Sequence, residues 1–246
     1  MSKSLSNQTT LFGKTFDLPS IFAFIGAAGS GKSYLLQYLI QEISRQGVFK
    51  FGWCFTRTNF SNAYAYMDKN ITVGYSESIL KSYLGILANM RKTLNMNMPP
   101  NFIIFDDLIG SLISSQNSQT FMRLITTFRH YNCSVFIAAQ YARGLINPTL
   151  REQIRYVFCT DSGLENTNNL FKSFGNRFFK NKTEMADVLT SLNAESQSHP
   201  QFIGRVKHYN ERSHKFLVMD TSRNNINTGC FIVEAPVFKP AQLISS

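Results

Sequence analysis

The sequence predicts an α/β fold: a mainly parallel sheet flanked by helices on both faces, with a small C-terminal α+β appendage. Three observations lead there. Apolar runs of strand length alternate with helical periodicity through about residue 160. A glycine-rich turn joins the first of these strands directly to a helix. The chain of 246 residues, 43% hydrophobic, is long enough to bury one sizeable core.

Residues 1–19 form an N-terminal tail, polar through about Thr10. Ile21 to Ile25 then reads as a buried strand, and Lys32 to Gln46 as a helix with Leu35, Leu36, Leu39, Ile40 and Ile43 on its apolar face. Val48 to Phe55 is a second strand. After an Asn/Ser/Tyr-rich segment, a helix near Ser78 to Leu94 must end before Pro99-Pro100, because proline disfavours helical backbone in the residue before it. Phe102 to Phe105 is a third strand, Gln119 to Tyr131 a helix, and Ser134 to Ala139 a fourth strand. Pro148 opens a short helix, and Tyr156 to Cys159 is a fifth strand. Residues 20–160 make up this core. From residue 161 to 246 the alternation ceases: helices near Leu164 to Phe174 and Glu184 to Leu192 precede Phe202 to Tyr209 and His214 to Asp220, which read as a hairpin. Gly229 to Phe238 is extended, and the whole segment reads as an appendage packed on the core.

The net charge of +10 is uneven. Between residues 121 and 160, Arg123, Arg129, Arg143, Arg151 and Arg155 face only Glu152, and Lys172, Arg177, Lys180 and Lys182 form a run with no acid. Such clusters neutralise phosphates without reading sequence, or else form a solvated surface; charge alone leaves both open. The 22 Phe and 10 Tyr suit a tight core and assembly surfaces. Cys54, Cys133, Cys159 and Cys230 form no CxxC pair, and His130, His199, His208 and His214 have no ligand spacing. Buried thiols of a reducing compartment are expected, with no metal site built from such clusters. The N-terminus lacks an apolar signal core, Ser2 stands where myristoylation requires glycine, and no apolar run approaches the ~20 residues of a membrane span. A soluble, intracellular protein is expected.

The turn Gly26-Ala27-Ala28-Gly29-Ser30-Gly31-Lys32-Ser33 satisfies GxxxxGK[ST] between a strand and a helix. Its glycines let backbone N–H groups point inward on phosphates, Lys32 supplies an ammonium for the β/γ-phosphates, Ser33 is a Mg²⁺ ligand, and the helix N-terminus adds its positive dipole end. Tyr34 continues this ATP-binding set. "FIIFDDL" ends an apolar strand in two acids, placing Asp106 to hold Mg²⁺ and Asp107 to activate the attacking water. Asp107 is a methylene shorter than the glutamate common at such positions, and a helix N-cap or supporting hydrogen bond is its alternative role.

Competing readings rest on weaker patterns. Asp107-Leu108-Ile109-Gly110 fits the DxxG of GTPases, but Asn181-Lys182-Thr183-Glu184 has Glu where guanine reading needs Asp. A nucleotide kinase would use Arg151 to Arg155 as a lid, yet a double-acid strand end suits water activation better. A nucleotide-binding structural component of a capsid or replication complex stays open. The stretch Thr127 to Phe158 favours a motor: Arg129-His130, a buried strand, Gln140 at its tip, then Arg151 and Arg155. Gln140 would emerge at the sheet edge of Lys32 and Asp106, within reach of the γ-phosphate or the attacking water.

Taken in order, the Gly26 to Ser33 loop, the Phe105-Asp106-Asp107 strand end, Arg129-His130 before a strand, and Gln140 followed by Arg151 and Arg155 resemble the FtsK/HerA superfamily. Within it, they are most similar to the poxvirus-type genome-packaging ATPases of large DNA viruses, virophages and tailless icosahedral viruses. The resemblance covers about residues 20–160. It implies a RecA/FtsK-HerA-like P-loop fold and a homo-oligomeric ring, a hexamer, that drives double-stranded DNA into a preformed capsid, with capsid or vertex proteins as partners. It implies action in the host-cell cytoplasm or viral factory, or in association with the virion. In such a ring one subunit's arginine completes its neighbour's site; Arg129 is the first candidate and Arg155 the second, with DNA contact or surface charge as alternatives.

Overall fold

The computed structural model of the chain describes residues 7–57, 64, 70–94, 97–108, 118–142, 147–197 and 214–235. Its elements run β1 (Asn7–Leu11), β2 (Lys14–Leu18), β3 (Ile21–Ile25), α1 (Lys32–Arg45), β4 (Phe51–Thr56), β5 (Ile71–Val73), α2 (Glu77–Leu94) and β6 (Asn101–Asp106). They continue with α3 (Gln119–Thr127), β7 (Cys133–Ala139), α4 (Pro148–Gln153), β8 (Ile154–Cys159), α5 (Leu164–Ser173), α6 (Lys182–Gln197), β9 (His214–Asp220) and β10 (Cys230–Ala235). One sheet has the order β10-β9-β8-β3-β7-β6-β4-β5. Strands β8 through β5 in that order are parallel, and β9 and β10 add antiparallel at one edge.

Alternation along β3 divides the core. Ile21, Ala23 and Ile25 face α2, α3, α5 and α6, while Phe22 and Phe24 face α1 and the β1–β2 hairpin. On the hairpin side, Phe22 stacks on Phe136 and Phe24 on Phe158, each pair with centroids 4.7 Å apart. Many of the chain's rings thus belong to the interior. Local chemistry starts the helices: Ser118 accepts from Phe121 N to cap α3, and Asn147 accepts from Thr149 N and Leu150 N where Pro148 opens α4.

Four expectations change. The N-terminal tail pairs as a hairpin, because Phe12 (φ 53°) and Gly13 (φ 67°) make the two-residue turn with positive φ at both positions, and Leu11, Phe16 and Leu18 are buried. The helix expected to Tyr131 leaves α geometry after Thr127 and tightens to a 3₁₀ turn, Phe128–Tyr131, closed by Asn132 at φ 48°. Strand β9 pairs with β8 and β10, so the segment after residue 161, expected only to pack on the core, adds two strands to its sheet. Strand β5 lay inside the segment read as irregular. The strand expected over 202–209, residues 236–238 of the extended tail, Ile109, Gly110, Arg143, His199 and His208 lie outside the described residues.

Candidate active site

Parallel pairing of β3 with β7 and β8 brings the Gly26 to Ser33 turn out at the C-terminal edge of the sheet, where open α/β sheets bind ligands. Gly29 (φ 75°) and Gly31 (φ 83°) hold left-handed backbone that other residues rarely adopt. Gly26 is required by close approach, since a Cβ there would collide with Thr160 Oγ1. Gly31 meets both demands: a Cβ would lie 2.5 Å from Cγ of His214, at the start of β9. As N-cap of α1 it also supplies no side chain, which leaves the first-turn amide donors for an anion. Lys32 Nζ donates to Ala27 O (2.7 Å) and Ser30 Oγ (3.4 Å), folding the loop around its ammonium. Burial lowers its pKa, opposed by the charges of Asp107 and Asp106. The Tyr34 ring lies 6.4 Å from that of His214.

Strand β7 lies between β3 and β6, so the residue after β7 emerges between the loop and the acids. That residue is Gln140. Asp106 ends β6 buried, with Oδ1 accepting from Ser33 Oγ at 3.0 Å and Oδ2 from Tyr64 OH at 2.9 Å. Its pKa is raised, chiefly by desolvation, while the two hydroxyl bonds pull it down. Asp107 turns at φ 53°, its amide donating to Ala138 O (3.2 Å). Gln140 Nε2 donates to Asp107 Oδ1 at 2.8 Å, and the exposed Arg57 guanidinium lies 3.9 Å from Oδ2. Asn166, buried on α5, accepts from Ala142 N (2.7 Å) and donates to Gln140 O (3.3 Å) and Ser162 Oγ. Lys32, Ser33, Asp106, Asp107 and Gln140 therefore meet at one edge.

The two arginine candidates do not join them within the chain. Arg129 lies before β7, at the opposite end of the parallel strands, exposed and bonded to Gln153 Oε1 at 3.0 Å. Arg155 also lies at that far end, where the β3–β8 register shifts and leaves it as an extra residue. Its guanidinium pairs with Asp17 and lies 3.6 Å from Asp220, both in its own chain. The GTPase-like Asn181-Lys182-Thr183-Glu184 is a helix start: Asn181 Oδ1 accepts from Glu184 N (2.9 Å), and Glu184 Oε2 from Lys180 N (2.8 Å).

Sequence reading missed Arg57, Tyr64, Asn166 and His214. Arg57 directly follows a buried strand, a signal that was available, whereas Tyr64 and Asn166 reach the site only through tertiary folding.

The family model described as Poxvirus A32 protein matches residues 7–228. No curated protein matches the chain. Among solved structures, the DNA-packaging ATPase from Sulfolobus turreted icosahedral virus is similar at 16% identity and a TM-score of 0.55, over 92% of this chain and 99% of that one. The genome packaging NTPase from Sulfolobus turreted icosahedral virus 2, in complex with ATP-gammaS, aligns at 15% identity and a TM-score of 0.56, over 89% of this chain and 98% of that one. The cytoplasmic domain of the Thermomonospora curvata type VII secretion ATPase EccC aligns at 14% and 0.57, over 95% of this chain and 28% of that one. At these identities the likeness is one of fold: a mainly parallel sheet flanked by helices.

Proposed function

The chain belongs to the poxvirus A32 protein family, and from that premise we propose that it is a Mg²⁺-dependent ATPase that drives viral double-stranded DNA into a preformed capsid. The observation that supports the chemistry best is the meeting of Lys32, Ser33, Asp106, Asp107 and Gln140 at one sheet edge.

The residues fit Mg²⁺. Ser33 Oγ and the Asp106 carboxylate are hard oxygen donors already in contact, and Asp106 is a buried anion whose described hydrogen-bond donors are neutral hydroxyls. Bound there with ATP, the metal would neutralise charge on the β- and γ-phosphates. Backbone amides of Gly29 to Ser33 hold the phosphates, and Lys32 exchanges Ala27 O for a phosphate oxygen. Asp107 takes the proton from the water that attacks the γ-phosphate, and Gln140 fixes the carboxylate through Oδ1.

The working form in this reading is a ring of identical subunits, a hexamer, acting with capsid or vertex proteins in the host-cell cytoplasm or viral factory, or on the virion. Exposure of Arg129, outside its own site, suits a finger offered to a neighbour. Among the described residues no helix is long and apolar enough to cross a membrane.

Turnover and nucleotide affinity of variants test this reading. Lys32→Ala should weaken ATP binding, whereas Asp107→Asn should bind ATP normally and turn over about 10²–10⁴-fold more slowly. Unchanged turnover in Asp107→Asn removes Asp107 from the role of base.

A further inference from the structure

We propose that Asn166 is a positioning residue for ATP hydrolysis, holding Asp107 in place through Gln140. The inference rests on the hydrolytic reading of the site.

Gln140 is the first residue beyond β7, where the ladder that fixes the strand on both sides has ended. The next side chain, Tyr141, is 54% exposed and packs too little to anchor the turn. The Asn166 carboxamide supplies the missing anchor. Its oxygen accepts from Ala142 N at 2.7 Å and its nitrogen donates to Gln140 O at 3.3 Å, so one side chain satisfies the donor and the acceptor that a neighbouring strand would satisfy. Asn166 is 3% exposed and is itself held by Ser162 Oγ, ahead of α5. Gln140 thus has a fixed backbone from which its amide reaches Asp107 Oδ1 at 2.8 Å.

Residue chemistry narrows what can replace Asn166. Alanine removes both bonds. Aspartate keeps an acceptor for Ala142 N but sets a carboxylate against Gln140 O, two acceptors with no proton between them. Displacement of Gln140 then frees Asp107, and misplacement of a reacting group by ~1 Å costs as much as ~10²-fold in rate. A residue that only stabilised α5 would leave the catalytic step alone once the protein had folded.

The experiment is a double-mutant cycle on the full chain with Mg²⁺ and ATP: Asn166→Ala and Gln140→Ala, singly and together, with kcat, KM and affinity for a non-hydrolysable ATP analogue measured for each. Asn166→Ala should lower kcat about tenfold or more with KM and analogue affinity changed less than about twofold. In the Gln140→Ala background the same change should cost less than about twofold, because the route to Asp107 is already cut. Asn166→Asp should match Asn166→Ala, and it takes over the cycle if the alanine variant fails to fold. Unchanged kcat, or an equal loss in both backgrounds, overturns the proposal while leaving the hydrolytic reading intact. A wild-type chain without ATPase activity, or one indifferent to Asp107→Asn, removes the hydrolytic reading and this inference with it.

Discussion

Burial, with the charge of Asp107, raises the pKa of Asp106 more than the hydroxyls of Tyr64 and Ser33 and the charge of Lys32 lower it. The folded protein thus favours the protonated carboxyl relative to the unfolded chain. The resulting contribution to stability is present below the unfolded pKa and is lost as pH rises through the raised folded value. At neutral pH, without metal, the carboxyl therefore opposes folding. Asp106→Asn should therefore have a thermal midpoint at pH 7 at or above wild type, by about 2–4 °C for each ~1 kcal/mol recovered, and the gap should close as pH falls. Mg²⁺-dependent stabilisation of the ATP complex should vanish in the same variant. A midpoint lower than wild type by several degrees at pH 7, measured by calorimetry, would show that Asp106 stabilises the empty site.

At the scale of elements, β8 joins the two parts of the chain that sequence reading had set aside. Its register shift exposes Arg155 to Asp17 on β2 and Asp220 on β9, and Tyr156 OH accepts from Asp17 N at 3.0 Å. Arg155 and Tyr156 thereby add polar ties to the strand pairing and apolar packing that hold the antiparallel edge and the hairpin to the parallel core. Arg155→Ala takes the guanidinium from Asp17 and leaves Asp220 with that of Arg223, 3.9 Å away, a loss of about 1–3 kcal/mol. The thermal midpoint should fall by about 2–4 °C per kcal/mol, with kcat retained at temperatures where the variant is folded. An unchanged midpoint with a large loss of kcat in the assembled protein would favour Arg155 as a finger.

For the whole molecule, Lys172, Arg177, Lys180 and Lys182 are exposed, while Phe178 and Phe179 between them in sequence are buried. A motor that moves along DNA without stopping at particular sequences must grip phosphates and ignore bases. If this run faces the DNA, affinity for duplex should be indifferent to sequence and fall with salt at a slope of about −0.9 in log K per phosphate neutralised. Replacing Lys180 and Lys182 together by Ala should flatten the slope by up to about 2 and reduce DNA-stimulated turnover. An assembled ATPase indifferent to duplex DNA at low salt would favour a nucleotide-locked structural component.

The sequence by itself determined the glycine-rich turn, the acidic strand end and five of the six strands of the parallel core. Glycine conformation, a strand running into a helix, and apolar runs are local properties, complete within a few consecutive residues such as Gly26 to Ser33. Tertiary structure decided the rest. Tyr64 reaches Asp106, and Asn166 reaches Gln140, only after crossover connections have set β7 between β3 and β6, and no local pattern encodes that order. The same holds for the edges: β9 pairs with β8 because their inward faces share one core, and Arg155 finds Asp17 and Asp220 because the β3–β8 register shift sets it beside β2 and β9. Long-range pairing is chosen by which faces can be buried together, and that choice is made by the folded chain as a whole.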